Sequence, residues 1–342
     1  MFEKQIEIPS AEEILAEVPL PASLAAIKEE RDRLAKAVIT GESDKLLVIV
    51  GPCSAHESKP VLEYVRRLGR LNERVKDKLV LIPRIYTNKP RTKGVGYKGM
   101  FSQPDPEKQE NILKGIYAIR DLHIHAIEES GLSGADEMLY PENYAYVEDL
   151  LTYIAVGARS SENQMHRLVS SGIELPVGIK NPMGGSIPVA LNSVFAAQSP
   201  QVFKYHNWQV ATKGNPYAHV VLRGRVDNYG NDIPNYHYET VMRVHEGYAN
   251  SNGELKNPAV IIDSNHSNSK KRFHQQIRIV EEVLQNRIYD KDFKKIVKGF
   301  MIESFLEEGN QQHDIVFGKS ITDPCLGWAD TERLILDIAE KI

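Results

Sequence analysis

The chain has little cysteine, no long apolar run and no large excess of either charge. Two Cys among 342 residues cannot build a disulfide framework. No apolar run reaches the roughly 18 residues of a membrane-spanning helix, and the N-terminal MFEKQIEIPSAEE lacks the apolar core of a secretory signal. With 42 Lys and Arg against 46 Asp and Glu, the net charge is −4, which argues against bulk binding to nucleic acid or anionic membrane. We therefore expect a cytoplasmic protein that binds anions only at local clusters of Arg and Lys.

Several familiar catalytic motifs are absent as well. The chain has no Walker A sequence, no Ser nucleophile elbow and no Cys-x-x-Cys pair. Gly94, Gly96 and Gly99 in KGVGYKG are not a nucleotide fingerprint, because no predicted helix begins there. They predict either a loop that covers a phosphate or a simple turn-rich connection.

From residue 46 onward, strand-like and helix-like segments alternate. The predicted strands are 46–51, 79–85, 133–139, 154–158, 176–181, 219–223, 259–264 and 298–303. The predicted helices lie near 58–75, 107–129, 143–151, 161–171, 186–198, 236–250, 269–288 and 326–341. Continuously apolar runs such as LLVIV are typical of strands buried on both faces. Eight strands with helices between them predict an α/β fold, a (β/α)8 TIM barrel, with a doubly wound sheet as the alternative.

Two segments fall outside this alternation. Residues 1–45 predict an N-terminal helical extension, with a helix from Leu24 to about Ile39 that has an apolar stripe. It either packs on the barrel or a partner subunit, or has a regulatory role. Residues 201–213 predict an inserted β-hairpin, so the catalytic barrel is expected to span 46–342 with this insertion.

Seven of the predicted strands end at, or lead to, a charged or metal-binding residue. Because the carboxyl ends of parallel barrel strands meet at one rim, these residues predict one active site. The seven residues are Cys53, Arg84, Arg159, Lys180, Arg223, His266 and Glu303.

Cations make up the larger group at this predicted rim. An Arg offers a planar fork of donors that matches phosphate or carboxylate, and a Lys offers a compact charge. Any one of them could simply form a surface ion pair, but their shared position indicates binding of small phosphorylated or carboxylated metabolites. The group comprises Arg84, Lys89, Arg91, Arg159, Lys180 and Arg223.

The second group could hold a divalent transition metal. It consists of a thiol, an imidazole and two carboxylates, a mixed donor set that suits such an ion better than a purely structural zinc. Each residue could instead be an ordinary buried side chain. The four residues are Cys53, His266, Glu303 and Asp323. Cys325 follows closely, so its thiol could approach Cys53 and make the site sensitive to oxidation, including a disulfide when metal is absent.

These segments resemble the 3-deoxy-D-arabino-heptulosonate 7-phosphate (DAHP) synthase family in its microbial type I form. The resemblance covers about 46 to 342, with its motifs in the order of the family. The matching stretches are GPCS (51–54), PRIYTNKPRT (83–92), VGARSSENQ (156–164), PVGIKN (176–181), LRG (222–224), DSNHSNS (263–269), EGNQ (308–311) and SITDPCLGW (320–328). The family has a (β/α)8 barrel, in agreement with the alternation of segments.

The resemblance implies a reaction and residue roles. The reaction would be a metal-dependent condensation of phosphoenolpyruvate with erythrose 4-phosphate and water, the first step of the shikimate pathway. Phosphoenolpyruvate would be held by Arg84, Lys89, Arg159, Lys180 and Arg223, with Ser160 and Asp323 also at the substrates. Arg91 and Thr92 would bind erythrose 4-phosphate. The metal, which could be Mn, Fe, Co or Zn, would be held by Cys53, His266, Glu303 and Asp323, and Glu137 would position a water or contact substrate.

Partners and rivals follow from the same resemblance. Relatives form dimers and tetramers, so a homo-oligomer is expected, and an aromatic amino acid is the expected effector, of open identity. One departure is PMGG at 182–185, where many relatives have Gly-Thr-Asp-Gly. The rival readings are 3-deoxy-D-manno-octulosonate-8-phosphate synthase, a non-catalytic metabolite sensor and a metal-dependent class II aldolase.

Overall fold

The computed structural model describes residues 1–91, 94–312 and 316–342. Its central element is a sheet of eight parallel strands, each almost entirely buried. The strands are β1 (Leu46–Gly51), β2 (Leu79–Pro83), β3 (Gly134–Glu137), β4 (Leu151–Val156), β5 (Val177–Lys180), β8 (Ala218–Leu222), β11 (Val260–Asp263) and β12 (Val297–Glu303). Between β5 and β11 lie the short pairs β6 (Val202–Tyr205) with β7 (Trp208–Ala211) and β9 (Arg225–Val226) with β10 (Asp232–Ile233).

The eight parallel strands form a nearly closed barrel. The order β2-β1-β12-β11-β8-β5-β4-β3 places β2 and β3 at the two ends of the sheet. These ends meet just past β2, where a parallel bridge joins Arg84 to Ala135 and the Ile85 amide donates to the Ala135 carbonyl at 2.9 Å. The predicted α/β barrel is therefore confirmed, and the doubly wound sheet is excluded.

Helices cover the outside of the sheet. Those that follow barrel strands are α3 (Ser58–Val75), α4 (Ile112–Ser130), α5 (Gln164–Ser170), α6 (Ile187–Gln198), α7 (Tyr238–Ala249), α8 (His266–Ser269), α9 (Gln275–Tyr289), α10 (Lys291–Ile296) and α11 (Trp328–Glu340). Each longer helix buries one face, as Val61, Val65 and Leu68 of α3 illustrate.

The helix predicted at 143–151 is wrong. A 3-10 helix spans Pro141–Tyr146, and strand β4 already begins at Leu151. The apolar run that begins at Leu150 is compatible with a helix and with a strand. In the structure, however, Leu151 pairs with Gly134 of β3, and Tyr153 pairs with Ala135. The last residue of the predicted helix therefore belongs to β4, because it pairs with β3. The chain between β3 and β4 is too short for more than the 3-10 helix.

The N-terminal extension contains two helices, α1 (Ala11–Glu17) and α2 (Ala22–Thr40). Ser10 caps α1 in a reciprocal capping box with Glu13. Helix α2 inserts Ala35, Val38 and Ile39 into the apolar cluster of the barrel interior, together with residues such as Leu47 of β1. This helix therefore packs on the barrel and contributes to its core.

The hairpin predicted near 201–213 is present as β6 and β7, with His206 in its turn at φ 48°. It packs toward the 3-10 helix, where the Tyr205 hydroxyl donates to the Pro141 carbonyl at 3.3 Å. Among the described helices, none combines the length and the apolar character required to cross a bilayer.

Candidate active site

The carboxyl ends of the barrel strands surround a cavity of about 440 Å³. Its walls hold seven cationic side chains but only three carboxylates, Glu137, Asp232 and Asp323, among the described residues. In a protein with net charge −4, this is a strong local excess of positive charge. All six predicted cations lie in the wall, and the seventh is Lys271; the predicted ones are Arg84, Lys89, Arg91, Arg159, Lys180 and Arg223.

Three of the four predicted metal ligands lie together beside this cavity, and one of the three, Asp323, lines its wall. One donor atom from each of Cys53, Glu303 and Asp323 lies within 4.8 Å of the other two. Cys53 Sγ is 3.6 Å from Asp323 Oδ2. His266 lies outside that group of three, but its Nε2 is 3.7 Å from Glu303 Oε1. The structure thus brings the residues from four distant segments of the chain to one place.

The Glu303 carboxylate is held from two sides. Arg84 Nη2 lies 3.0 Å from Oε1, and the Asn265 amide donates to Oε2 at 2.5 Å. Arg84 is itself fixed by a hydrogen bond to the Pro52 carbonyl and by the ring of Tyr86, whose centroid is 3.7 Å from the guanidinium carbon. Burial opposes the charge of Glu303, but Arg84, His266 and Lys89 together outweigh it and lower the pKa of this carboxyl.

Two lysines approach the other donors. Lys89 Nζ lies 2.7 Å from Cys53 Sγ and 3.7 Å from Asp323 Oδ2, while Lys271 Nζ lies 2.9 Å from Asp323 Oδ1. Burial alone would raise the pKa of Asp323, yet the neighbouring ammonium groups lower it. Burial and the charge of Glu303 raise the pKa of the Cys53 thiol. Cys325 is a free, buried thiol, as is Cys53.

Lys180 belongs to a buried charge pair beneath the cavity. Its Nζ donates to Asp263 Oδ2 at 2.9 Å, with the two side chains 5% and 1% exposed. The same carboxylate oxygen lies 2.8 Å from His266 Nδ1. Burial would raise the pKa of Asp263, but the neighbouring His266 ring and the Lys180 ammonium lower it instead. Burial lowers the pKa of His266, which favours the neutral ring that a metal ligand requires.

Arg223 projects into the cavity from the end of β8. It is 7% exposed, and its Nη1 donates to the Ser267 hydroxyl at 3.0 Å. Its backbone amide donates to the Asn181 side-chain oxygen at 3.0 Å, so the loop after Lys180 is fixed to the end of β8. Burial lowers the pKa of Arg223, and Arg159 adds like-charge repulsion. An anion placed between these two guanidinium groups would relieve that repulsion.

The remaining predicted residues differ in how the structure places them. Glu137 and Arg159 line the cavity, and Gly157 leaves the room that Glu137 needs, since a Cβ there would lie 2.3 Å from its Oε1. Ser160 occupies the turn after β4, where its amide donates to the Gly157 carbonyl at 2.9 Å. Thr92, predicted to bind substrate, lies outside the described residues.

The sequence reasoning missed three side chains of this site. Asp263 ends a strand as the predicted residues do, so its position was a usable signal, but it received no role. Asn265 and Lys271 lie in the short turn around α8, where Lys271 and its neighbour Lys270 adopt left-handed φ values of 56° and 55°. That local geometry has no clear signal in the sequence.

Chemically, the site combines a cationic wall with a mixed donor set. A thiol, two carboxylates and a nearby imidazole suit a divalent transition metal, and donor separations below 4.8 Å are compatible with one shared ion. The surrounding cations could hold two phosphorylated molecules close to each other.

Comparisons with known proteins agree with this geometry. A family model described as the DAHP synthetase I family matches residues 22–335. The Trp-sensitive phospho-2-dehydro-3-deoxyheptonate aldolase of Enterobacter agglomerans is 38% identical, over 96% of this chain and 93% of the relative. The Phe-sensitive enzyme of Escherichia coli (strain K12) is 36% identical, over 98% of this chain and 97% of the relative.

A solved structure gives the same result. The phospho-2-dehydro-3-deoxyheptonate aldolase from Francisella tularensis SCHU S4 superposes with a TM-score of 0.90 at 30% identity, covering 100% of this chain and 98% of the other. The resemblance inferred from the sequence motifs is confirmed. The chain belongs to the DAHP synthetase I family of enzymes.

Proposed function

We propose that this enzyme condenses phosphoenolpyruvate with erythrose 4-phosphate and water to give 3-deoxy-D-arabino-heptulosonate 7-phosphate and phosphate, the entry step of the shikimate pathway. The observation that supports this most directly is a cavity of about 440 Å³ lined by seven cations, three of which contact the Cys53, Glu303 and Asp323 group. These three are Arg84, Lys89 and Lys271. Two anionic substrates repel each other, and a wall of fixed cations offsets that repulsion while it orients them.

We assign the residue roles by how deeply each side chain lies in the cavity. Arg84, Lys180 and Arg223 are buried and fixed by hydrogen bonds, so they suit the smaller substrate, phosphoenolpyruvate, at the bottom of the cavity. Arg159 and Lys89 line the same cavity, and we assign Ser160, which follows Arg159 in the turn after β4, to the same substrate. Arg91 lies farther out, its Nε bonded to the Tyr97 carbonyl at 2.8 Å, and suits the phosphate of the sugar, together with Thr92.

In the proposed reaction, C3 of phosphoenolpyruvate attacks the aldehyde carbon of the sugar phosphate. Positive charge develops at C2 and is trapped by water, after which the C–O bond to phosphate breaks. Glu137 lines the cavity and would position that water. Lys180 and Arg223 would hold the charged groups of phosphoenolpyruvate throughout, since both are anchored before substrate arrives.

A divalent metal is part of this proposal. Cys53, His266, Glu303 and Asp323 would hold it, and when bound it would polarise the aldehyde oxygen as a Lewis acid. Asn265 and Arg84 keep the Glu303 carboxylate oriented, and Asp263 keeps the His266 ring in place. Mn, Fe, Co and Zn all suit this donor set.

The assay that tests the proposal measures phosphate release. Phosphoenolpyruvate is supplied with either erythrose 4-phosphate or arabinose 5-phosphate, with and without a chelator. We expect release with the four-carbon sugar only, lost in chelator and restored by added divalent metal. Release with arabinose 5-phosphate alone would identify the octulosonate reaction instead, and full activity in chelator would exclude the metal.

Feedback control by an aromatic amino acid is the second part of the proposal. Relatives are named Trp-sensitive and Phe-sensitive. A cleft of about 700 Å³ lies between the N-terminal segment, the 3-10 helix and the hairpin, and its walls include Ile8, Tyr146, His206 and Arg91. Arg91 also lines the active site, so a ligand in the cleft would touch a substrate-binding residue. Repeating the phosphate assay with Phe, Tyr and Trp in turn identifies the effector, and undiminished activity with all three contradicts this part.

The expected homo-oligomer, a dimer or tetramer, also stays a proposal. The exposed hairpin residues Val202 and Trp208, which are 67% and 72% exposed, are the apolar groups that such an assembly would cover. Sedimentation of the full chain measures the assembly state directly.

A further inference from the structure

The opposite end of the barrel carries a second concentration of positive charge. A cavity of about 770 Å³, here called the amino-end basin, lies beneath the starts of β1 and β12. Its walls include six Lys and Arg side chains but only one carboxylate, Asp44, among the described residues. The six cations are Lys45, Arg287, Lys291, Lys294, Lys295 and Lys298. None of them takes part in the site at the carboxyl ends of the strands.

Part of this charge serves the fold. Arg287 is buried and donates to the carbonyls of Lys294 (2.8 Å) and Val297. Lys45 Nζ donates to the Lys76 carbonyl at 2.7 Å. Lys298 lies beside Gly41, where α2 ends, so a helix carbonyl end faces it. Cations near the carboxyl ends of helices are favourable, so each of these contacts has an ordinary structural reason.

The positive charges of the basin nevertheless outnumber the negative ones. Asp292 pairs with Lys295 at 3.5 Å, which leaves five cations. Asp44 contributes one negative charge, and the ends of α2 and α10, which contact Lys298 and Arg287, contribute about half a charge each, so about three positive charges are left over in the basin wall. Burial and the positive charge of Arg287 both lower the pKa of Lys298. The effect of Arg287 shows that the cations of the basin repel each other.

We propose that the amino-end basin binds a small anion of the condensed-phosphate or phosphate-ester class that carries at least two negative charges. Lys291 and Lys294 provide the accessible contacts, since both are exposed on α10 and neither has an ion-pair partner among the described residues. Ammonium groups on flexible stems suit the oxygens of a phosphate. The volume is larger than one phosphate group requires, so a molecule with linked phosphates or an organic portion fits.

The test is calorimetric titration of the full chain with inorganic tripolyphosphate at low salt, where charge interactions are least screened. The informative variant is Lys291→Gln with Lys294→Gln. The matched control is Lys59→Gln with Lys114→Gln, which removes the same charge from exposed positions on α3 and α4. The cations of the active site are untouched in both, so their contribution to the titration is the same.

We expect the wild type to bind tripolyphosphate at two kinds of site, the active site and the basin. In the Lys291/Lys294 variant, the basin affinity falls by about tenfold or more, since two charge-assisted contacts are lost. The control keeps both sites, and replacing the same two lysines by Arg retains the affinity. Turnover is unchanged in all three. A single kind of site in the wild type, or equal weakening in variant and control, overturns the proposal.

Discussion

Replacing Lys180 by Met separates the structural and catalytic contributions of one buried charge. The Lys180 ammonium and the Asp263 carboxylate are 2.9 Å apart, with side chains 5% and 1% exposed. Removing one partner of such a pair leaves an unpaired buried charge, at a cost of about 3–5 kcal/mol. We therefore expect Lys180→Met to lower the thermal unfolding midpoint by several degrees.

Adding Asp263→Asn to Lys180→Met should recover part of the stability lost in the single variant, because the Asp263 carboxylate, which has lost the Lys180 ammonium, is then replaced by a neutral amide. Activity should not recover, since the cation that faces the substrate is still missing. In both variants we expect kcat for phosphate release to fall by about a hundredfold or more, the size of a lost preorganised electrostatic contact.

The measurements are thermal unfolding and steady-state kinetics with both substrates. The reasoning fails if Lys180→Met keeps the wild-type kcat and only raises KM, because the ammonium then binds substrate and transition state equally. It also fails if the double variant is less stable than Lys180→Met alone, because the Asp263 charge would then not be the source of the cost. Lys180→Arg is the control that retains the charge.

Three further predictions concern other buried polar groups. Burial lowers the pKa of His219 from 6.5 to about 4, so between these pH values the unfolded chain binds a proton that the folded protein does not. The free energy of unfolding should therefore fall as the pH drops from 6.5 to 4, by up to about 3 kcal/mol. In His219→Gln, unfolding curves measured at successive pH values should lack this dependence. Arg120→Met breaks a bidentate pair with Asp149, with contacts of 2.7 and 3.0 Å, and should lower stability by about 1.5–3 kcal/mol, since Asp149 is partly exposed. An unchanged unfolding midpoint would contradict this. Asn265→Ala frees one oxygen of Glu303, so we expect metal affinity to weaken by about ten- to a hundredfold in a metal titration; unchanged affinity would show that the amide does not orient the ligand.

Much of the barrel could be predicted because strands buried on both faces leave a simple mark in a sequence. The continuous apolar run predicts β1 at its observed bounds, and the helical spacing of apolar positions does the same for α3. The helix prediction for the segment before β4 is wrong, because apolar residues there suit a helix as well as a strand and only pairing with β3 decides between them.

The site likewise contains residues that the sequence predicts and residues that it does not. Residues at strand ends, such as Arg84 and Lys180, could be predicted from position, because barrel topology brings those ends together. Asn265 and Lys271 could not, since they reach the site through the turn around α8, where two consecutive lysines have positive φ. Strand periodicity has no bearing on such a turn.

The insertion of α2 into the barrel interior has a consequence for how the chain folds during synthesis. Ile39 belongs to the same interior cluster as Met301 of β12, so this helix leaves the ribosome about 260 residues before one of its packing partners exists. Until then its apolar side chains have no complete barrel to enter, and contacts this distant in sequence form slowly. The nascent chain therefore exposes the apolar face of α2 for most of translation, and the packing of this helix is complete only after β12 has been synthesised.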